Sequence, residues 1–195
     1  MATKSKPQHR DRTLESELKF KLAGPADHAR LRRRLEELKA KPAGTYDEEN
    51  VRFFQPGKRR PVSLRLRVLD GRRGGILTVK GPARFIRGIK VREETEVGVD
   101  DARAARDLVE SLGYTVAFTY HKRRSTWRLN DLVDVTLDTL AFGFFTELEG
   151  PPELLEETAR TIGLNPGRAI KLSYSAMARR YALEQGAKTT QSQAV

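Results

Sequence analysis

The chain of 195 residues has no cysteine, only three histidines and no long hydrophobic run. Without cysteine it cannot form disulfides, thiolate zinc sites or a cysteine nucleophile, which agrees with a reducing compartment. His9, His28 and His121 lie far apart and lack the spacing of zinc ligands. No apolar run approaches the roughly 18 to 20 residues of a membrane helix, and the charged start lacks the apolar region of a secretory signal. We therefore expect a cytoplasmic protein with no membrane partner.

The net charge of +11 is distributed unevenly along the chain. Residues 1–12, 28–41 and 168–195 hold the whole excess of basic residues, and the rest of the chain has equal numbers of acidic and basic residues. The excess thus lies at the two ends and on one predicted helix, and that helix has no aromatic residue on which bases could stack. A basic tail is more often solvated than functional, so we expect no nucleic-acid partner.

Length and composition predict one domain with short tails. Residues 1–12 and 185–195 are polar and nearly free of large apolar residues, which predicts disordered tails, the first of them basic. Residues 13–184 contain no linker and no repeat of fixed length, and a segment of this size can bury a core. We expect a single domain over 13–184.

Charged and apolar residues alternate along most of the predicted strands. In LESELKF, residues 14–20, the side chains of Glu15, Glu17 and Lys19 would share one face, because successive side chains of a strand point to opposite faces. The same alternation recurs in SLRLRV, ILTVKGP, KVREETEV, VDVTLDTL and FFTELEG. Aromatic and β-branched residues add strands at 46–54 and 115–129. About eight strands are expected.

The charged strand faces have two interpretations. They are either solvated outer faces or the lining of a closed antiparallel barrel that holds a ligand. Arginine and glutamate dominate nearly every strand, whereas solvated faces usually mix Thr, Ser, Lys and Gln, and this favours the barrel. Its apolar outer face could be covered by four segments with helical periodicity, at about 26–40, 101–112, 152–163 and 173–184.

The residue types on these faces indicate the ligand. Carboxylates without histidine or cysteine are hard oxygen ligands suited to Mg²⁺ or Mn²⁺. Arginine and lysine donate to phosphate oxygens, and charges in a confined interior need partners. Carboxylates together with arginine and lysine in one cavity therefore predict that the ligand is a metal-bound polyphosphate.

The order of the motifs resembles that of the CYTH family of triphosphate tunnel metalloenzymes. The motifs are ExExK (15–19), LRLR (64–67), LTVKGP (77–82), REETE (92–96), KRR (122–124), LD (137–138) and GFFTELEG (143–150). They run from about 15 to 150, and the helix-rich stretch to about 183 is also similar. The resemblance implies an α+β fold: a closed eight-stranded antiparallel β-barrel, with a tunnel for a triphosphate and divalent metal, and helices packed outside.

The resemblance also implies roles for individual residues. The metal ligands for Mg²⁺ or Mn²⁺ would be Glu15, Glu17, Glu94, Glu96, Asp138, Glu147 and Glu149. The phosphate oxygens would be held by Lys19, Arg65, Arg67, Lys80, Arg92, Lys122 and Arg124. The catalytic residues would be Lys19, Lys80, Arg65 and Arg67. Arg123 alternates away from its neighbours and is expected outside, and Lys171 is a further candidate for the tunnel.

The shared motifs describe only a triphosphate site, so several functions stay open. We favour a metal-dependent triphosphatase for inorganic triphosphate, ATP or thiamine triphosphate. The main rival is a class IV adenylyl cyclase that converts ATP to cyclic AMP and pyrophosphate, which needs a site for adenine and ribose. The motifs also allow a non-catalytic module that binds polyphosphate or RNA, and a structural barrel with ion-paired walls. Exposed apolar helix faces on such a barrel would allow a homodimer.

Overall fold

The computed structural model describes residues 13–57 and 63–192, and the side chains of 13–57 and 63–185. The strands are β1 Thr13–Leu22, β2 Lys41–Phe54, β3 Ser63–Leu69, β4 Gly75–Lys80, β5 Arg84–Ile86, β6 Ile89–Val99, β7 Thr115–Leu129, β8 Val133–Leu140 and β9 Gly143–Glu149. The helices are α1 Pro25–Glu37, α2 Ala102–Ser111, α3 Pro152–Thr161 and α4 Tyr174–Ser192, with a 3₁₀ turn at Pro166–Arg168.

The two predicted tails differ in how much of each the structure describes. Residues 1–12, predicted as a disordered basic tail, lie outside the described residues. Helix α4 continues past its predicted end at residue 184 to Ser192, into the segment predicted as the second tail, and residues 193–195 again lie outside the described residues. A helix that packing has already nucleated adds further residues at low cost, so the polar composition of this segment does not stop the helix.

The strands form a closed antiparallel barrel, as predicted. They follow one another around the wall in the order β1, β9, β8, β7, β2, β3, β4, β6, and β6 pairs again with β1 through residues such as Glu15 and Arg92. Eight strands therefore close the barrel. Among the described strands, the ninth, β5, pairs only with the start of β6. It was not predicted, because three exposed residues carry no alternation.

The apolar faces of the strands point outward and are covered by helices. Leu18 and Phe20 of β1 pack in one buried cluster with Leu35 of α1 and Leu155 of α3. A second cluster joins β2 and β3 to α2 through residues such as Phe53, Leu66 and Val109. Helix α2 begins at Asp101, whose carboxylate accepts a hydrogen bond from the Ala104 amide at 3.0 Å. The charged faces are therefore left for the interior.

The start of α4 closes the interior with an apolar plug. By alternation, Leu140 and Phe145 share the inward faces of their strands with Asp138 and Glu147. Both pack against Tyr174 in a buried cluster. The preceding segment runs beside β1, where the Ile170 amide donates to the Lys19 carbonyl at 2.7 Å. Within the described part of the chain, no helix combines the length and the apolar character needed to cross a membrane.

Candidate functional site

The interior of the barrel is a cavity of about 340 Å³ with a charged wall. Its nine basic side chains are Lys19, Arg52, Arg65, Arg67, Lys80, Lys90, Arg92, Lys122 and Arg124. Its six carboxylates are Glu15, Glu17, Glu94, Glu96, Glu147 and Glu149. Every residue named as a site candidate from the motifs, except Asp138, therefore lines this cavity. The wall has more cations than carboxylates, which favours an anionic ligand.

Three carboxylates meet where β1 pairs with β9. Glu17 lies directly opposite Glu149 in the sheet, and Glu15 is one inward position before Glu17. One oxygen from each of the three lies within 4.8 Å of the others. Like charges in such positions are destabilising by themselves. Burial raises the pKa of Glu149 to about 7. Arg124 opposes this rise, and the carboxylates of Glu15 and Glu147 add to it. Lys90 pairs with Glu17 at 2.7 Å and Arg92 with Glu15 at 3.2 Å, whereas Glu149 has only a 3.6 Å approach from Arg124 among the described residues. Three carboxylate oxygens grouped in this way are the type of ligand set that suits a hard divalent cation.

Lys80 and Arg92 lie beside this cluster, between Glu15 and Glu94. Arg92 Nε is 3.2 Å from Glu15 and 3.0 Å from Glu94. Lys80 Nζ is 3.4 Å from Glu15 and also contacts Glu94. Burial and a hydrogen bond with Glu15 raise the pKa of Glu94 to about 7. Burial opposes ionisation of Glu15 too, but the hydrogen bond from Glu94 and the charges of Lys80 and Arg92 lower its pKa to about 2.

Lys19 lies deeper, against the plug. Its Nζ is 2.9 Å from Glu147 and 3.6 Å from Glu17, and it lies 4.2 Å from the centre of the Tyr174 ring. Burial disfavours the charged amine, but the carboxylates of Glu147 and Glu17 outweigh it and raise the pKa of Lys19. Lys19 therefore keeps its positive charge in a nearly inaccessible position.

Behind the wall, Asp138 holds Arg124. Arg124 donates to both Asp138 oxygens, at 2.7 and 2.6 Å, and the Tyr174 hydroxyl donates to Asp138 at 2.7 Å. Both oxygens are thus engaged by protein donors, and a metal ion at Asp138 would have to displace them. Lys122 is fixed in the same region by Glu48, at 3.2 Å.

Arg65 and Arg67 are more weakly paired. Their guanidinium groups lie 3.5 and 3.6 Å from one oxygen of Glu96, and Arg67 is 3.7 Å from Glu48. These distances exceed those of strong charge-assisted hydrogen bonds. The Nε atoms of both arginines are buried and have no hydrogen-bond partner. Because the guanidinium groups are only weakly paired, both side chains can donate to a ligand in the cavity.

Some residues of the wall, and Glu48 just behind it, were not named from the sequence. Glu48 and Arg52 lie on β2, and Lys90 lies at the start of β6, where it pairs with Glu17 at 2.7 Å. The signal for Lys90 was its place one inward position before Arg92. Tyr174, the first residue of α4, was not named because no site motif was identified in that helix.

Two further predictions concern residues outside the wall. Arg123 is exposed and pairs with Asp47 at 3.2 Å, so it lies outside the tunnel as expected. Lys171 is absent from the described wall, and its Nζ lies 5.4 Å from the centre of the Phe85 ring.

Fold and site together define a closed barrel with a charged interior, in which a cluster of three carboxylates adjoins partly paired arginine and lysine side chains. This chain belongs to the CYTH family: the model of the CYTH domain matches residues 13–165, which confirms the resemblance seen in the motifs.

Solved structures of similar shape include proteins from an archaeon, a bacterium and a plant. The PH1012 protein from Pyrococcus horikoshii OT3 is 27% identical, with a TM-score of 0.69 over 82% of this chain and 96% of that one. A candidate adenylate cyclase from Vibrio parahaemolyticus is 20% identical, with a TM-score of 0.71 over 85% and 97%. A candidate adenylyl cyclase from Hippeastrum is 20% identical, with a TM-score of 0.68 over 85% and 95%. No curated protein matches the chain.

Proposed function

We propose that this protein is a divalent-metal-dependent triphosphatase that hydrolyses inorganic or organic triphosphate in the tunnel. Members of the CYTH family act as triphosphatases or adenylyl cyclases, which supports an enzyme for a triphosphate substrate. The observation that carries the proposal is the carboxylate cluster of Glu15, Glu17 and Glu149, which adjoins Lys80 and Arg92 and shares its cavity with two weakly paired arginines. The Hippeastrum protein, for its part, reveals a dominant triphosphatase activity.

The roles of the chain's residues follow from their positions. Glu15, Glu17 and Glu149 would hold Mg²⁺ or Mn²⁺, which would supply Lewis-acid polarisation of the phosphoryl oxygens. Lys80 and Arg92 flank that cluster and would hold phosphate oxygens next to it.

Three further cations of the wall complete the site. Lys19 keeps its charge at the plug, and Arg65 and Arg67 offer donors to the negative charge that develops on the leaving phosphate. Lys19 is fixed by its ion pair with Glu147 before substrate enters, so it needs little rearrangement during reaction. Arg65 and Arg67 are paired more weakly and can turn towards the substrate.

The wall of the tunnel favours a triphosphatase over a cyclase. Among the described residues, its aromatic members are Tyr120 and Tyr174. The Tyr174 ring is already covered by Lys19, and its hydroxyl is held by Asp138. The wall is otherwise charged or carries small polar groups, so it offers little apolar surface to adenine.

One observation favours the cyclase as a second candidate. An outer groove of about 1320 Å³ lies between β7 and α4 and shares Tyr120 and Lys122 with the tunnel. Phe118 and Tyr181 line it. An adenine bound in this groove would contact the same two residues as a triphosphate in the tunnel, and a cyclase needs a site for adenine and ribose near the phosphates.

Product analysis distinguishes the two candidates. The purified protein is incubated with Mg²⁺ or Mn²⁺ and inorganic triphosphate, ATP or thiamine triphosphate, and products are resolved by phosphorus NMR and chromatography. Orthophosphate is the expected product, and cyclic AMP with pyrophosphate would instead show the cyclase. If none of the substrates gives a product, the remaining candidate is a non-catalytic binding module. Tyr181→Ala should reduce cyclic AMP formation, if there is any, and leave hydrolysis of inorganic triphosphate unchanged.

A further inference from the structure

Arg52 is a cation of the tunnel wall that lacks a carboxylate partner. It lies on β2, on the same inward face as Glu48 and Asn50. Its Nη2 donates to the Ser63 hydroxyl at 2.7 Å. No ion pair joins Arg52 to any carboxylate within residues 13–57 and 63–185, whereas the neighbouring cations of the wall are paired.

A second arginine lies directly across the sheet from Arg52. In the pairing of β2 with β3, Arg52 is opposite Arg65, and Arg67 occupies the next inward position. Like charges directly opposite each other are destabilising unless something lies between them. Arg65 donates to the Thr78 hydroxyl at 3.2 Å and approaches Glu96 at 3.5 Å, and its buried Nε has no hydrogen-bond partner among the described residues. The two guanidinium groups together have more donors than the protein satisfies.

The surroundings of Arg52 are short of negative charge. Burial, with the charges of Arg65 and Arg92 and against the effects of Tyr120 and Glu94, lowers the pKa of Arg52 from its ordinary value. Arginine nevertheless remains protonated in proteins, so the cost of enclosing it must be offset by a counterion. The planar guanidinium forks of two facing arginines match the oxygens of a phosphoryl group, to which each can donate twice.

We infer that Arg52 and Arg65 form a clamp for one phosphoryl group of the substrate, and that Ser63 is a positioning residue that orients Arg52. The identity of the anion rests on the proposed function. The clamp adds Arg52 to the cations indicated by the motifs, and it makes β2 part of the binding wall.

A binding experiment without turnover tests the clamp. Inorganic triphosphate is titrated into the full-length protein in EDTA by calorimetry, and thermal unfolding is followed with and without it. Arg52→Gln should raise the Kd by about tenfold or more, because a hydrogen bond to a charged group is lost. The unfolding temperature of the ligand-free variant should be unchanged or higher, since the repulsion with Arg65 disappears, while the rise caused by triphosphate should shrink.

Matched variants make the result specific. Arg123→Gln removes an exposed arginine from the outer face and should leave the Kd unchanged. Ser63→Ala should weaken binding less than Arg52→Gln does. Arg52→Lys keeps the charge but loses the fork and should give an intermediate Kd; it is the deciding variant if Arg52→Gln does not fold.

Several results would overturn the clamp. One is that Arg52→Gln or Arg52→Lys binds triphosphate with the same Kd as the unaltered protein. Another is that the unaltered protein binds no triphosphate in EDTA. A lower unfolding temperature with an unchanged effect of triphosphate would make Arg52 a structural cation. If the unaltered protein binds triphosphate but hydrolyses nothing with Mg²⁺, the proposed function fails, while a raised Kd in Arg52→Gln still supports the clamp.

Discussion

Arg124 and Asp138 face each other across β7 and β8 and are joined by two parallel hydrogen bonds of 2.7 and 2.6 Å. The Asp138 side chain is fully inaccessible. The same carboxylate also accepts from Tyr174, so one residue connects a tunnel cation to the plug. Removing one partner of a buried pair leaves the other charge uncompensated.

We expect Asp138→Asn to lower the free energy of unfolding by about 3 to 5 kcal/mol, measured by urea denaturation. The matched control is Asp134→Asn on the same strand, whose pair with Arg128 is largely exposed and should contribute little. Equal effects of the two substitutions would show that the buried pair has no special role.

The carboxylate cluster predicts that turnover requires a divalent cation and that EDTA abolishes it. Glu149→Gln should weaken the affinity for Mn²⁺ by about tenfold or more. The loss of a residue that only supports a metal ligand already lowers metal affinity about tenfold, and the loss of a ligand should lower it at least as much. Mn²⁺ affinity can be measured by calorimetry without substrate. Glu153→Gln on α3 is exposed and should leave it unchanged. Wild-type Mn²⁺ affinity in Glu149→Gln would remove Glu149 from the metal site.

Lys80 lies between Glu15 and Glu94, where a phosphate oxygen would meet it. If Lys80 stabilises charge in the transition state, Lys80→Gln should lower kcat for triphosphate by about 100-fold or more, with the fold checked by circular dichroism. Lys41→Gln, which changes an exposed lysine paired with Asp131, serves as the control. A change in KM alone would assign Lys80 to substrate binding.

Glu48 gives a prediction for acid pH. Burial opposes its ionisation, but the charges of Lys122, Arg124 and Arg67 lower the pKa of Glu48 to about 2, from an ordinary value of 4.5. Because the folded-state pKa is lowered, the stabilisation is fully present above pH 4.5 and is lost as the pH falls to about 2. The lowering of the Glu48 pKa from 4.5 to about 2 corresponds to roughly 3 kcal/mol in the free energy of unfolding.

Glu48→Gln should therefore be less stable than the unaltered protein at pH 7, and the gap should close as the pH approaches 2. Urea unfolding at a series of pH values measures it. Glu49→Gln alters the exposed neighbour on the outer face and should show no such pH-dependent gap. A gap for Glu48→Gln that stays constant with pH would contradict the assigned ion pairs.

The barrel and most of its wall could be predicted because the period of a strand is two. Glu15, Glu17 and Lys19 alternate with apolar residues, so their common face is visible in the sequence. Strand β2 hides the same pattern. Four consecutive polar residues, 47–50, place Asp47 and Glu49 outside and Glu48 inside, and the sequence alone shows no difference among them.

Other parts depend on contacts between distant segments. The pair of Lys90 with Glu17 exists because β6 closes the barrel against β1, and neither local sequence indicates the register of that closure. The plug depends on where the segment before α4 crosses the end of the barrel. Tyr174 therefore had no local signal, although it contacts both Asp138 and Lys19.

The closed wall has a consequence for how such a protein can change over evolutionary time. A single-residue insertion within a barrel strand exchanges its inner and outer side chains beyond that point. In β1 such an insertion directly before Lys19 would turn Lys19 towards the helices and Phe20 towards the tunnel. Length changes are thus tolerated in the turns and helices, whereas the strands accept substitutions far more readily than insertions or deletions.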